Sequence, residues 1–164
     1  MSLIKQRRAV VGYALLEALV AVVVAAVGFI GAARMQTLGL TLNNSAQSRQ
    51  KATLLGYQMA DRIRANRLAF VSGAYNSPTA GATTCLDTGC TPAALAAADM
   101  GEWQGDVAAQ LPSGVGVVCV DSTPGDADAT PAVPKCDGIG KVIAIKIFWT
   151  DTIGTSRFVS VVRP

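Results

Sequence analysis

Apolar and polar positions divide this chain into stretches of different period. From residue 13 to residue 33 only Glu17 is charged, so 21 residues present apolar or small side chains all round. As a helix they would measure about 31 Å, the thickness of a bilayer core. After residue 33 the pattern becomes amphipathic. Met35, Leu38, Leu42 and Ala46, then Ala52, Leu55, Met59 and Ile63, recur at helical spacing, with Arg34, Gln36, Asn43, Gln47, Arg49, Gln50 and Lys51 filling much of the rest. No proline falls between Ala14 and Asn66. The pattern therefore predicts one helix of about 55 residues, its first half suited to lipid and its second presenting one apolar stripe. Gly28, Gly31, Gly39 and Gly56 are its soft points, and Gly28 with Gly31 also permits close approach of another helix.

Residues 72–91 are rich in Gly, Ser, Thr and Asn and read as a loop. Residues 92–111 predict a second helix, with Thr91 as cap, Pro92 in the first helical position, and Leu95, Met100, Trp103, Val107 and Leu111 as the buried face. Three strands follow, at 114–121, 141–151 and 156–163. In the second, Ile143, Ile145, Ile147 and Trp149 alternate with Val142, Ala144, Lys146, Phe148 and Thr150, which predicts one core face. The stretch 122–140 reads as a solvated loop. Its acids Asp126, Asp128 and Asp137 lack the D-x-D-x-D-G spacing of a calcium loop. The expectation is an α+β fold: a long N-terminal helix packed on a small antiparallel sheet, with a short second helix.

Charge changes the picture mainly by its position. Lys5, Arg7 and Arg8 precede the apolar stretch and mark the cytoplasmic side by the positive-inside rule. Without residues 1–12 the chain carries 11 basic and 11 acidic residues, which argues against a nucleic-acid surface. Residues 34–67 hold six basic groups against Asp61, whereas residues 68–164 hold five basic and nine acidic. Such polarity suits packing of one chain's basic 34–67 segment on another chain's acidic 68–164 segment, and solvated faces give the same count.

The four cysteines, Cys85, Cys90, Cys119 and Cys136, lie beyond the apolar stretch, on the side opposite the basic cluster. In an oxidising periplasm an even count predicts two disulfides. Three pairings are open; the one favoured here joins Cys85 with Cys90 and Cys119 with Cys136. Zinc is the competing reading, but the cysteine spacing does not repeat a knuckle and the chain has no histidine. No metal or cofactor is expected. Asp87-Thr88-Gly89 matches the D-T-G of aspartic proteases, yet it sits in a tight cysteine loop without flanking apolar strands and reads as a turn. No nucleophile–base pair stands out, so no catalytic residue is assigned and the chain is not expected to be an enzyme.

An acid inside an apolar span costs about 2.5–3.5 kcal/mol on insertion scales, so Glu17 calls for a pairing duty. A secretory signal cut near Gly31-Ala32-Ala33 would explain the basic and apolar regions, and a plain anchor would explain the length. Neither accounts for Gly12 and Glu17 together. The run Gly12-Tyr-Ala-Leu-Leu-Glu17 resembles the class III signal of type IV pilins and pseudopilins, where G-F-T-L-I-E is usual. Tyr13 stands for Phe and Ala14 for Thr. The resemblance implies cleavage by a prepilin peptidase after Gly12, methylation of the amine of Tyr13, and an assembly ion pair between Glu17 and a neighbour's amine. It divides the chain into a leader (1–12), a transmembrane and assembly helix (13–33), a stalk helix (34–70) and a periplasmic head (71–164).

A second resemblance spans most of the chain. The run from Ser48 to Asn66, ending Asp61-Arg-Ile-Arg-Ala-Asn66, with Trp103, Leu111-Pro-Ser-Gly114 and Ile147-Phe-Trp-Thr-Asp151, is similar to minor pilins of the PilV, or type IV pilus modification, class. There the stalk reads A-x-x-L-A-x-D-x-x-D-R-x-R-A-N. This implies a low-abundance subunit, held by one span in the inner membrane with its head in the periplasm and later at or near the fibre tip. It would join other minor pilins, the major pilin and the inner-membrane assembly machinery in priming type IV pili for twitching motility and adhesion. A minor pseudopilin of type II secretion is the alternative, distinguished by the neighbouring genes.

Overall fold

The computed structural model describes residues 11–81, 85, 89–152 and 154–163. Helix α1 runs through Val11–Ala65, 55 residues without interruption. Asn66 ends it and starts the short α2 (Arg67–Val71), its side-chain oxygen accepting from the Ala69 N–H at 3.4 Å. Helix α3 (Pro92–Gln110) begins as its sequence predicts, Thr91 Oγ1 accepting from the Ala94 N–H at 3.2 Å. Strands β1 (Val115–Val120), β2 (Ile143–Asp151) and β3 (Gly154–Val162) form an antiparallel sheet in the order β1-β2-β3. The fold is the expected α+β layout: a long N-terminal helix, a short second helix and a small antiparallel sheet, the arrangement of a pilin-like protein. Two compact units are distinguishable, residues 1–42 and residues 43–164.

In the second unit, α1 contributes Ala52, Leu55, Met59 and Ile63 to the core, α3 contributes Met100, Trp103 and Val107, and β2 contributes Ile143, Ile145, Ile147 and Trp149. Each large side chain stabilises by about 1.5–3 kcal/mol. A surface ion pair gives about 1 kcal/mol or less, so packing holds this unit together. Gly56 lets helix and sheet meet: a Cβ there would lie 2.4 Å from Cε1 of Phe158. Gly116 does the same for the ring of Trp103, whose Nε1–H donates to the Leu55 carbonyl at 2.9 Å.

Three expectations are corrected. The stalk stripe is only half used, since Met35, Leu38, Leu42 and Ala46 are exposed and burial starts at Ser45. Leu95 is exposed in the first turn of α3, and Ala96 is buried instead. Most consequentially, β2 is buried on both faces: Ala144, Lys146 and Phe148 are as inaccessible as the isoleucines. The loop 121–140 is the reason. It folds over the outer face of the sheet, where Arg157 donates to the carbonyls of Asp126 and Gly125.

Candidate functional site

Gly12, Tyr13 and Glu17 lie in the first turns of α1. Tyr13 and Glu17 are four residues apart, hence on one side of the helix, and both are exposed. Among the described residues Glu17 has no ion-pair partner. Along this segment the large apolar residues, from Leu15 through Val24 to Ile30, are all half or more exposed. Nothing stands within 4 Å of where a Cβ would sit at Gly28 or Gly31. Such a surface suits lipid or the faces of other helices, and its small-residue positions suit close helix packing. The helix is long and apolar enough to cross a membrane.

The other end of α1 carries a polar lock. Arg62 pairs with Asp99 at 3.3 Å and Glu102 at 2.7 Å, both on α3. Asn66 Nδ2 donates to the Pro92 carbonyl at 2.8 Å and to the Tyr75 hydroxyl at 3.4 Å, and that hydroxyl donates to Asp99 at 2.6 Å. Arg64 closes locally on Asp61 at 2.9 Å. The hydrogen bond from Arg62, with its charge, holds the Glu102 carboxyl below its usual range. Burial first, and then the bond to Asp99, push the Tyr75 phenol well above its ordinary value. The run Asp61-Arg-Ile-Arg-Ala-Asn66 is thus an internal fastener. Part of the stalk's basic excess is answered by the head of the same chain.

Under the loop 121–140, Lys146 forms an ion pair with Asp121, both wholly buried, and donates to the carbonyls of Pro134 at 2.7 Å and Lys135 at 3.3 Å. A buried cation demands this many partners. The disulfide Cys119–Cys136, with its Cα atoms 6.1 Å apart, fixes the loop to β1, and Cys85–Cys90 closes the smaller ring with Cα atoms 5.0 Å apart. The favoured pairing is the one present. Closing the larger loop contributes about 3 kcal/mol in the chain-entropy picture. Within the smaller ring, Asp87 and Thr88 fall outside the described residues. Gly89 takes a positive φ of 73° and its N–H donates to the Cys85 carbonyl at 3.1 Å.

Among the described residues no cluster of three or more Cys, His, Asp or Glu is gathered as a metal site. A hollow of about 370 Å³ between α2 and the ends of β1 and β2 is lined by Phe70, Val71, Val120 and Ile143, with Lys141 at its rim. Sequence reasoning missed Tyr75, Asp99 and the pair Asp121–Lys146. Only Lys146, a cation at mid-strand, offered a local signal. The chain matches no family model, no curated protein and no solved structure.

Proposed function

We propose that this chain is a minor pilin that helps prime type IV pilus assembly from the inner membrane and resides at or near the fibre tip. The observation that carries the reading is Gly12, Tyr13 and Glu17 at the head of an apolar helix whose surface is uncovered from residue 13 to residue 40. In a bundle of such helices the low dielectric strengthens an ion pair between Glu17 and a neighbour's Tyr13 amine and penalises an unpaired carboxylate. The partners are other minor pilins, the major pilin, the prepilin peptidase and the inner-membrane assembly machinery. Arg34, Arg49, Lys51 and Arg67 have no ion pair among the described residues, so identical stalks side by side repel and unlike neighbours are preferred. The reading assigns no catalytic step.

Intact mass spectrometry of the protein recovered from cells tests it. A chain that begins at a methylated Tyr13 supports the reading, and one that begins at Arg34 or retains residues 1–12 sinks it. Glu17→Ala is expected to be cleaved normally yet to lower fibre number. Deleting the gene should reduce piliation while the major pilin is still made and processed.

A further inference from the structure

Among the described residues Lys146 and Asp121 are the two charged side chains that are wholly buried, and the function proposed above uses neither. They meet across neighbouring strands: Lys146 lies on β2 opposite Val117 of β1, and Asp121 follows the last residue of β1. Their atoms are fixed by several contacts. Nζ donates to the Pro134 carbonyl at 2.7 Å and to the Lys135 carbonyl at 3.3 Å, and its third neighbour is Oδ2 of Asp121. Oδ1 of Asp121 accepts from the Thr123 N–H at 3.0 Å. Oδ2 differs. It is the oxygen of the ion pair, yet among the described residues it accepts no hydrogen bond. The loop 121–140 covers the whole group, and the Cys119–Cys136 disulfide pins that loop to β1.

A buried ion pair is favourable only when hydrogen bonds satisfy its remaining lone pairs and protons, and Oδ2 lacks them. Condensation removes that fault. We propose that Lys146 and Asp121 join in the folded head as an amide, an isopeptide bond between Nζ and Cγ. The ammonium passes one proton to Oδ2 and the amine nitrogen attacks Cγ. The C–N bond forms, the C–O bond breaks, and Oδ2 departs as water with a second proton from the nitrogen. No co-reactant is needed. The Thr123 N–H stabilises the charge that gathers on Oδ1 at the tetrahedral stage. Well-oriented neighbours reach effective molarities of about 10⁵–10⁸ M, and the covering loop keeps back the water that would reverse the step. The product suits the hydrogen bonds already in place. Oδ1 remains on Thr123 as the amide oxygen, the one N–H left on the nitrogen remains on Pro134, and the longer contact to exposed Lys135 is given up. The oxygen that leaves is the one without a hydrogen bond. Two buried charges vanish together. The bond lies within the head, so this inference does not depend on whether the chain primes a fibre.

Peptide mapping by mass spectrometry reads the bond directly, on the full chain purified in detergent and then reduced and denatured. Trypsin should fail to cut after Lys146 and should release one branched peptide that joins the stretch holding Asp121 to the stretch holding Lys146. That peptide should be lighter by one water than its two parts. Lys146→Met, which keeps an unbranched side chain without the amine, should show neither the branch nor the loss of water. The unaltered chain decides the matter even if that variant folds poorly: refolded from denaturant it should lose the water with time, and held unfolded it should not. Two separate peptides at their full masses, from folded chain, overturn the proposal. So does loss of one water with normal cutting after Lys146, which would place the loss elsewhere, as in a succinimide at Asp137-Gly138.

Discussion

The two halves of α1 are one unbroken helix with opposite surroundings. Up to residue 40 its leucines, valines and isoleucines are uncovered on every side, whereas from Ala52 to Ile63 the buried residues follow a single stripe and Leu54 and Tyr57, off that stripe, are exposed. Helix geometry is the same in both, so periodicity reports the solvent. A helix meeting a core needs one apolar face, and a helix meeting lipid or a ring of other helices needs apolar residues all round. The comparison also locates stability: the head's depends on the second half, and the first half is held by whatever surrounds it.

The largest effect should come from the head's buried charge. Lys146→Ala removes the cation that faces the buried Asp121 carboxyl under the loop, and should cost about 3–5 kcal/mol by thermal or denaturant unfolding in detergent, while the helix content of the first half persists. Loss of that helix along with the head would break the contrast. Next comes a matched pair of truncations. Ile63→Ala should cost about 2–5 kcal/mol, whereas Ile30→Ala should change head stability by no more than about 0.5 kcal/mol, and equal losses would show that the two halves share one core. Asn66→Ala removes a donor from the Tyr75 hydroxyl and the Pro92 carbonyl, and should cost about 1–3 kcal/mol by the same measurement.

The smallest effect is one of pH. Glu102 has a folded pKa held below its unfolded value, so its pairing with Arg62 adds stability at neutral pH that is lost as pH falls below about 4.5 and through the folded value. The unfolding midpoint should decline over that window, and Glu102→Gln should flatten the decline. An unchanged slope would mean that solvent screens the pair entirely.

Much of this was legible because it is local. Thr91 and Pro92 announce the start of α3, the isoleucines of β2 announce its inner face, and the proline-free run announces α1. What escaped is what the chain brings together from afar. Lys146 reads as a solvent position in an alternating strand, and only a loop returning from Cys119 to Cys136 makes it a buried one. Those cysteines were the available hint that the loop is pinned, but not of which face it covers. Asp99 and Tyr75 carry no motif, and their roles exist only where α1, α2 and α3 meet. Gly12, Tyr13 and Glu17, to which the proposal assigns processing and assembly, lie within one stretch of helix, so sequence spacing alone already places Tyr13 and Glu17 on one side of it.

Both tryptophans of the chain, Trp103 and Trp149, are buried in the head, and the apolar segment has none. Indole emission from this protein is therefore an optical gauge of one unit alone. Unfolding the head should shift it toward the red as both rings meet water. Transfer of the first half of α1 between detergent, lipid and a bundle of partner helices should leave it unchanged, so light distinguishes the two events without a label.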